Sequence, residues 1–315
     1  MPPINLTGLR PDEYEHTEDR AALAALKKTG GLKILVEKIS AWGTERLLRI
    51  QLTGSFIRVT PDGYPEIWKL YCAAKERLSL PVAPDLYIRN AGEINAFTAG
   101  VLKPIIVINS GTVDSLEDDE LLFVIAHEMG HIKSGHVLYY QIAEFIPAFG
   151  NLLGDVTLGI GNILSVGLQV ALLHWQRTSE LTADRAGLLA CQDGEKAMRA
   201  LMKLAGLPHK YAARCNVEEF ISQARQFESF DISTADKVAK YLSIYGSSHP
   251  WTVMRAKELL NWMDSGGYAT VLNRPRPKLG PAGEIIRRFC EQCGHEAASL
   301  DIFCANCGHR LLAVQ

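Results

Sequence analysis

The sequence lacks the features that mark several large classes of protein. Its 315 residues carry a net charge of −2, with 33 Lys and Arg against 35 Asp and Glu. Because this balance offers no excess of positive charge for phosphate contacts, nucleic acid is not an expected partner. No repeat of solenoid length is visible. The apolar fraction of 47% and the charged fraction of 22% indicate a folded globular protein.

Targeting signals and disulfide patterns are also missing. Residues 1–20 lack the basic start and apolar core of a secretory signal. The seven cysteines lack the spacing of a secreted disulfide framework, since four of them form two C-x-x-C pairs. We therefore expect a cytoplasmic protein.

Hydrophobic periodicity outlines the first half of the chain. Apolar residues at spacings of three and four predict helices at His16–Lys28 and Tyr64–Leu78, so residues 1–80 form a mainly helical part. Two short segments, Leu86–Ile88 and Ile105–Asn109, are rich in β-branched or aromatic residues and bounded by Pro or Gly. They are predicted to be strands.

A well-marked helix follows the second strand. Asp114 or Ser115 can cap it, and the acidic run Glu117–Glu120 fills its first turn, where the helix dipole favours negative charge. Leucine, valine, isoleucine and methionine residues supply its apolar surface up to Ile132.

This helix contains the motif His127-Glu128-Met129-Gly130-His131. Two histidines four positions apart are offset by about 40° and by about 6 Å along the axis, so both imidazoles can bind one zinc ion. Glu128 lies beside that metal, where it can hold an attacking water. A chance pair of histidines is the alternative, but the motif lies inside a predicted helix directly after a strand.

A zinc hydrolase site uses three protein ligands, and a second predicted helix at about residues 175–190 offers the third. Glu180 and Asp184 lie one turn apart there. One carboxylate can bind zinc while the other accepts a hydrogen bond from a ligand histidine. Spacing alone leaves their order open, and it also allows a solvated acidic face. His136 follows the motif too closely to reach the same metal, so we expect a structural role for it.

The chain contains several separated motifs in a fixed order: Asn95-Ala96-Phe97, Ile105–Ser110, Leu121–His131 with His136, Ser179–Gly187, and His249-Pro250 followed by Arg255. Together they resemble the HtpX-like and CAAX prenyl protease group of gluzincin metallopeptidases, and the resemblance covers roughly residues 60–265. The transmembrane helices of the membrane-embedded members of that group are not found in this sequence.

The resemblance implies a role for each matching residue. Glu180 is the third zinc ligand, beside His127 and His131, and Asp184 orients a ligand histidine. Glu128 is the general base that activates water for attack on the peptide bond. The strand near Asn95–Thr98, which contains Asn95, Ala96 and Phe97, lines the cleft and pairs with an extended polypeptide substrate.

The resemblance also brings His249 and Arg255 to the zinc, and two roles are open for His249. It can donate a hydrogen bond to the oxyanion, with Arg255 orienting it or assisting. Alternatively, His249 can bind the metal in the resting enzyme and hold the protease latent.

Residues 145–173 raise the question of a membrane span, because Asp155 is the only formal charge between Glu144 and Arg177. Five glycines interrupt this run. The metal-site motifs on either side must meet on one side of any membrane, and two crossings would need about 40 apolar residues plus a turn. We predict no integral span and expect helices packed near the catalytic core, with a peripheral membrane contact as the alternative.

The C-terminus holds a second metal motif. Two near copies of C-x-x-C-G-H contain Cys290, Cys293, Cys304 and Cys307. Their spacing predicts a zinc ribbon with a closed site of four thiolates, and the metal supplies most of the folding energy of so small a module. Its partner is left open among another protein, nucleic acid and the catalytic domain.

The predicted fold is α+β, with a mostly helical zincin domain and a small sheet at 1–264, a catalytic core at 81–264, a linker at 265–286 and a zinc ribbon at 287–315. Two zinc ions per chain are expected, one catalytic and one structural. The predicted function is that of a zinc-dependent endopeptidase, and protein quality control is its expected role. The alternative is a latent or non-proteolytic adaptor that acts through the ribbon.

Overall fold

The computed structural model describes residues 2–28, 44–143, 160–214, 216–226, 252–276, 287–289 and 296–298. The helices with defined bounds are α1 (Thr17–Lys28), α2 (Thr44–Ser55), α3 (Pro65–Arg77), α4 (Ser110–Ser115), α5 (Asp118–Lys133), α6 (Ile160–Cys191), α7 (Gly194–Leu204), α8 (Val217–Gln226), α9 (Thr252–Asp264) and α10 (Gly267–Asn273). The strands are β1 (Ile57–Arg58), β2 (Asp85–Arg89), β3 (Ala96–Ala99), β4 (Ile105–Asn109), β5 (Arg287–Phe289) and β6 (Glu296–Ala298). The structure is therefore mostly helical with a small sheet, which confirms the predicted fold class.

Strands β1 to β4 form one sheet in the order β1-β2-β4-β3. β2 and β4 run parallel, and the two outer strands pair antiparallel to them. All five residues of β4 are buried, because its side chains alternate between two apolar clusters. Ile106 and Ile108 join the main core with α5, whereas Ile105 and Val107 pack with Leu52 of α2. A strand covered on both faces reads as the continuous apolar run that the sequence has here.

Most of the predicted elements in this region occur within a few residues of their expected bounds, but two helices differ. Helix α5 begins after Glu117, which caps it through a reciprocal capping box with Glu120, and not after Asp114 or Ser115. Those residues belong to the short helix α4. Helix α6 begins at Ile160, well before the expected start near residue 175.

Helices α5 and α6 approach closely because glycines remove side chains at their contact. A Cβ atom added at Gly130 would lie 2.6 Å from Ala186 Cβ and 3.2 Å from Ala183 Cα. At Gly187 it would lie 2.8 Å from the ring of Phe123. These positions therefore set the separation of the helices that carry the metal-site candidates.

Substitution of Gly130 by alanine tests this contact. We expect Gly130→Ala to lower the free energy of unfolding by about 1–3 kcal/mol, because the added methyl group has no room between the helices. Gly54→Ala is the matched control, since Gly54 is a helical glycine with nothing within 4 Å of an added Cβ. Alanine there should stabilise the protein by up to about 1 kcal/mol. Equal effects of the two substitutions in urea unfolding would contradict the close-contact argument.

A buried ion pair fixes the N-terminal end of α5. Glu120 is fully buried, and its Oε2 lies 2.6 Å from Lys203 Nζ on α7. Lys203 also donates to the carbonyl of Ser115 at 3.0 Å, and Arg199 lies 3.3 Å from the other Glu120 oxygen. Helix α7 thus holds the start of the helix on which the two motif histidines lie.

Breaking this pair should destabilise the protein strongly. Lys203→Met leaves the Glu120 carboxylate buried without its closest cation, and we expect a loss of about 3–5 kcal/mol in the free energy of unfolding. Lys196→Met is the control: Lys196 lies on the same helix α7 and pairs with Glu117, but Lys196 is only half-buried and Glu117 is exposed. Its effect should stay below about 1 kcal/mol. A loss of similar size for both variants would refute the assignment.

The domain continues beyond its predicted end. Helix α10 lies inside the segment 265–286 that the composition predicts to be a linker, and its Val271 is buried in the main core. Further on, the Arg274 guanidinium lies 2.7 Å from Glu13. Glycine and proline in this segment therefore mark helix ends rather than a free linker up to residue 276.

At the C-terminus, β5 and β6 form a separate antiparallel pair on either side of the first C-x-x-C motif. Cys290, Cys293, Cys304 and Cys307 lie outside the described residues, so the four-cysteine site stays a prediction. No helix in the described part of the chain combines the length and the hydrophobicity that a membrane span requires.

Candidate active site

Three buried side chains converge where α5 packs on α6. His127 and His131 come from α5, and Glu180 comes from α6. The two Nε2 atoms lie 3.2 Å apart, and the Glu180 oxygens lie 3.5 Å and 3.4 Å from the Nε2 atoms of His127 and His131. One ligand atom from each residue lies within 4.8 Å of the others, so the three side chains can hold a single metal ion.

The chemistry of these donors fits zinc. Glu180 Oε2 is buried and accepts no hydrogen bond from any residue that the structure describes, although such an atom is normally satisfied; the Arg255 guanidinium offsets its charge from 3.2 Å. The Nε2 atoms of His127 and His131 each face one oxygen of this carboxylate across a short distance. A cation between the three atoms would satisfy all of them, and two histidines with one carboxylate form a donor set typical of catalytic zinc sites.

The two histidines differ in their electrostatic surroundings. Burial lowers the pKa of His127, but the adjacent carboxylates of Asp184 and Glu180 outweigh burial and raise the pKa to about 9. For His131, burial outweighs the effect of Glu180 and lowers the pKa to about 4. His127 is thus the imidazole that carboxylates surround on two sides.

Asp184 lies behind His127, on the side away from the other candidate ligands. Its Oδ1 is 3.0 Å from His127 Nδ1. When that nitrogen donates its proton to Asp184, the lone pair of Nε2 faces His131 and Glu180. The carboxylate therefore selects the tautomer of His127 that a metal ligand needs.

Arg255, on α9, connects the two carboxylates of α6. Its guanidinium donates to both oxygens of Asp184 at 2.8 Å and 2.6 Å, and its Nη1 lies 3.2 Å from Glu180 Oε2. Burial raises the pKa of Asp184 and of Glu180, but Arg255 and the neighbouring histidines together outweigh burial and hold both pKa values below their usual ranges. Both carboxylates are therefore ionised at neutral pH.

Glu128 lies next to the three candidate ligands but does not belong to them. Burial raises its pKa above the usual range, and the nearby His127 and Thr98 offset this only in part. The Thr98 hydroxyl, on β3, donates to Glu128 Oε2 at 2.7 Å. The strand thereby fixes one oxygen of the glutamate.

Two further side chains, a tyrosine and a histidine, contact the candidate ligands. Tyr140, in helical residues 137–143, donates its hydroxyl proton to Glu180 Oε1 at 2.6 Å. His136 Nδ1 lies 3.0 Å from His131 Nδ1, and its Nε2 lies 3.1 Å from Asp19 Oδ2 on α1. Each of the three candidate ligands therefore has a protein partner behind it.

A cleft of about 530 Å³ opens onto this group. Residues 95–99, which include β3, line this cleft together with Leu52 of α2 and the following Phe56, and Glu128 and Glu180 also line it. β3 is an end strand of the sheet, so among the described residues its outer backbone edge pairs with no other strand. The cleft can therefore accept an extended chain beside β3.

The structure thus brings together most of the residues that the sequence singles out. His127, Glu128, His131, Glu180, Asp184 and Arg255 lie in one buried group, and Asn95, Ala96 and Phe97 line the cleft beside it. His249 lies outside the described residues.

Sequence reasoning missed the contacts of Thr98, Tyr140 and Asp19. Thr98 ends the predicted cleft strand, so its position near the site was predicted but its contact with Glu128 was not. Tyr140 lies one helical turn after His136, whereas Asp19 reaches the site from α1 and gave no local signal.

Comparisons with known proteins agree with this site. The sequence profile of Peptidase family M48 matches residues 70–263. The chain is 31% identical over 281 residues to the plastoglobule-localized metallopeptidase 48 of Arabidopsis thaliana, with 88% of this chain and 80% of that protein covered.

More distant relatives are proteases of bacterial and archaeal origin. Protease HtpX homolog 2 of Methanosarcina acetivorans is 27% identical over 199 residues, which cover 56% of this chain and 65% of the relative. The protease HtpX homolog of Helicobacter acinonychis is 28% identical over 152 residues, covering 41% and 49%. No solved structure matches the chain significantly. Because the family profile spans more than half of the sequence, the chain belongs to Peptidase family M48 and is a metalloprotease.

Proposed function

We propose that the chain is a zinc-dependent endopeptidase in which His127, His131 and Glu180 hold the catalytic metal and Glu128 is the general base. One observation carries this proposal: the buried carboxylate of Glu180 faces the Nε2 atoms of His127 and His131, one with each oxygen, beside an open cleft. The carboxylate of Glu128 lies beside the three candidate ligands but is not one of them. A protein that only bound polypeptides would have no use for such a base.

The chain's own residues would carry the proton transfers. When bound, zinc supplies a Lewis acid that lowers the pKa of water and polarises the peptide carbonyl. Glu128 takes the proton from the attacking water and later delivers it to the leaving amine. Its raised pKa suits this exchange, because a general base works best when its pKa approaches the working pH.

Thr98 and Asp184 would keep the site in order during these steps. Thr98 holds one oxygen of Glu128, leaving the other for the water. Asp184 keeps the proton of His127 on Nδ1, and Arg255 fixes Asp184 through two parallel hydrogen bonds. Whether His249 donates to the oxyanion or holds the enzyme latent is decided by His249→Ala, which lowers kcat in the first case and raises basal activity in the second.

Polypeptide is the substrate that a peptidase requires, and the cleft supports binding in an extended form. The free edge of β3 offers backbone hydrogen-bonding groups beside Glu128. Pairing through the backbone depends little on the identity of the substrate side chains, so we expect broad selectivity. A protease of protein quality control needs such selectivity. The C-x-x-C spacing of the cysteines supports a cytoplasmic location.

Degradation of casein, an unfolded protein, tests the function. We expect the purified full chain to cleave it, a zinc chelator to stop cleavage, and added zinc to restore it. Glu128→Gln serves as the control for a contaminating protease. Chelator-resistant cleavage, or binding of casein without cleavage, would refute the proposal and favour the adaptor alternative.

The proposal also predicts two zinc ions per chain, one at the cleft and one on Cys290, Cys293, Cys304 and Cys307. Elemental analysis should find two ions in the intact protein and one in Glu180→Gln, because a neutral amide is a poor zinc ligand. A double substitution of Cys290 and Cys293 by serine should also leave one ion, but it should spare casein cleavage. One ion in the intact protein would contradict the ribbon assignment.

A further inference from the structure

Helix α1 lies outside the part of the chain that matches the family profile, yet one of its side chains approaches the metal site. We propose that Asp19 is a positioning residue for the catalytic zinc: through His136, it fixes His131 in the tautomer that presents Nε2 to the metal. This inference rests on the proposed function, because it takes Nε2 of His131 as a ligand atom. It makes the N-terminal helix part of the catalytic unit.

The three side chains form an unbroken hydrogen-bonded series. His131 Nδ1 lies 3.0 Å from His136 Nδ1, and His136 Nε2 lies 3.1 Å from Asp19 Oδ2. Asp19 is 2% exposed, His136 1% and His131 5%. Water therefore has little access to these groups, and they must satisfy one another.

Only one arrangement of protons fits these contacts together with a metal on His131. A metal on Nε2 leaves the proton of the neutral imidazole on Nδ1, which must then donate. His136 Nδ1 has to accept, so His136 carries its own proton on Nε2 and donates it to Asp19. The carboxylate accepts and cannot donate, so it sets the direction of the whole series.

A second donor, itself hydrogen-bonded to the backbone, helps to orient Asp19. The Thr182 hydroxyl, on α6, donates to the same Oδ2 atom at 2.5 Å, and the backbone N–H of His16 donates to that hydroxyl at 3.0 Å. Thr182 lies two residues beyond Glu180. The carboxylate is thus oriented by the helix that carries the third candidate ligand.

The two histidine ligands are therefore supported in different ways. His127 donates directly to Asp184, whereas His131 donates to a second imidazole that passes the orientation on from Asp19. A purely structural pair between Asp19 and His136 would pin α1 to the domain equally well. It would not, however, require that His136 keep Nδ1 free of a proton.

Nitrogen-15 NMR of the histidine rings separates these two cases in the intact protein. In the zinc-loaded full chain, with resonances assigned by single substitutions, we expect His136 to carry a proton on Nε2 alone and His131 on Nδ1. A His136 ring that is protonated on Nδ1, alone or with Nε2, would overturn the proposal. This measurement requires no variant of Asp19 to fold.

The affinity for the catalytic zinc ion gives the second test. It is measured by chelator competition for the ion whose binding is lost in Glu180→Gln. His136→Leu should weaken binding by about 10- to 100-fold, and Asp19→Asn by about tenfold. His136→Asn should bind more tightly than His136→Leu, because its amide oxygen can stand where Nδ1 stood and accept from His131. Glu18→Gln, an exposed neighbour on α1, is the matched control and should leave affinity unchanged.

The outcomes distinguish this inference from the function on which it rests. If His131→Ala contained as much zinc as the wild-type chain, the proposed function itself would fail. If the wild-type chain bound zinc and the Asp19 and His136 variants matched it, only the positioning role would be wrong. Equal affinity in His136→Leu and His136→Asn would also refute the role, because it would show that ring volume is what matters.

Discussion

Glutamine at position 128 is expected to remove peptide hydrolysis almost completely while leaving the metal bound. Glu128→Gln keeps the size of the side chain and can still face the Thr98 hydroxyl, but an amide cannot take a proton from water. General acid–base catalysis contributes about 10²–10⁴-fold to such reactions, so kcat should fall by at least that range. Zinc content should equal that of the wild type, because Glu128 is not among the three converging donors.

The matched control for this variant is Asp119→Asn on the same helix. Asp119 is exposed in the first turn of α5, so the substitution removes the same charge without touching the cleft. Its kcat and zinc content should both be those of the wild type. Normal turnover in Glu128→Gln would contradict the general-base role, and loss of zinc from it would show that Glu128 helps to bind the metal.

The metal motif was predictable from sequence because it is local. Two histidines at a spacing of four on one helix must share a face, so His127 and His131 needed no tertiary information. Glu180 and Asp184 share a face for the same reason, but spacing could not sort their roles. Their sorting depends on how α6 lies against α5, where Glu180 faces both Nε2 atoms and Asp184 faces only Nδ1 of His127.

The sequence could not predict contacts that form only when distant elements pack together. The long helix α6 was underestimated because glycines and the absence of charge hide a helical period before residue 175. The two-residue strand β1 is too short to produce any alternation. Asp19 lies more than a hundred residues before His136 in the chain, so no local pattern could join them. β4, in contrast, was predictable, since burial on both faces gives an unbroken apolar run.

Loss of the Arg255 guanidinium should destabilise the fold strongly. Arg255 is buried between Asp184, to which it donates twice, and Glu180. Arg255→Met keeps much of the volume but leaves both carboxylates without this counter-charge. We expect the free energy of unfolding of the zinc-stripped protein to fall by about 3–5 kcal/mol in urea titrations at neutral pH. Arg255→Lys should recover only part of it, because an ammonium group cannot make two parallel hydrogen bonds.

An exposed ion pair provides the control for Arg255→Met. Arg225 lies 2.9 Å from Asp264, with both side chains more than half exposed, and Arg225→Met should change stability by less than about 1 kcal/mol. A similar effect of the two substitutions would show that the buried position of Arg255 is not what matters.

Lowering the pH should reduce the loss of stability that Arg255→Met causes. This pH dependence identifies the cause of the loss. In the wild type, the pKa values of Asp184 and Glu180 are held below their usual ranges. The resulting stability is present above the ordinary carboxyl pKa and is lost as pH falls through the depressed folded values. In Arg255→Met, burial is no longer opposed by the guanidinium, so these carboxyl groups take up protons at higher pH and need no counter-charge. The stability difference between variant and wild type should therefore narrow steadily as pH falls. A difference that stayed constant down to mildly acidic pH would indicate lost packing rather than lost charge.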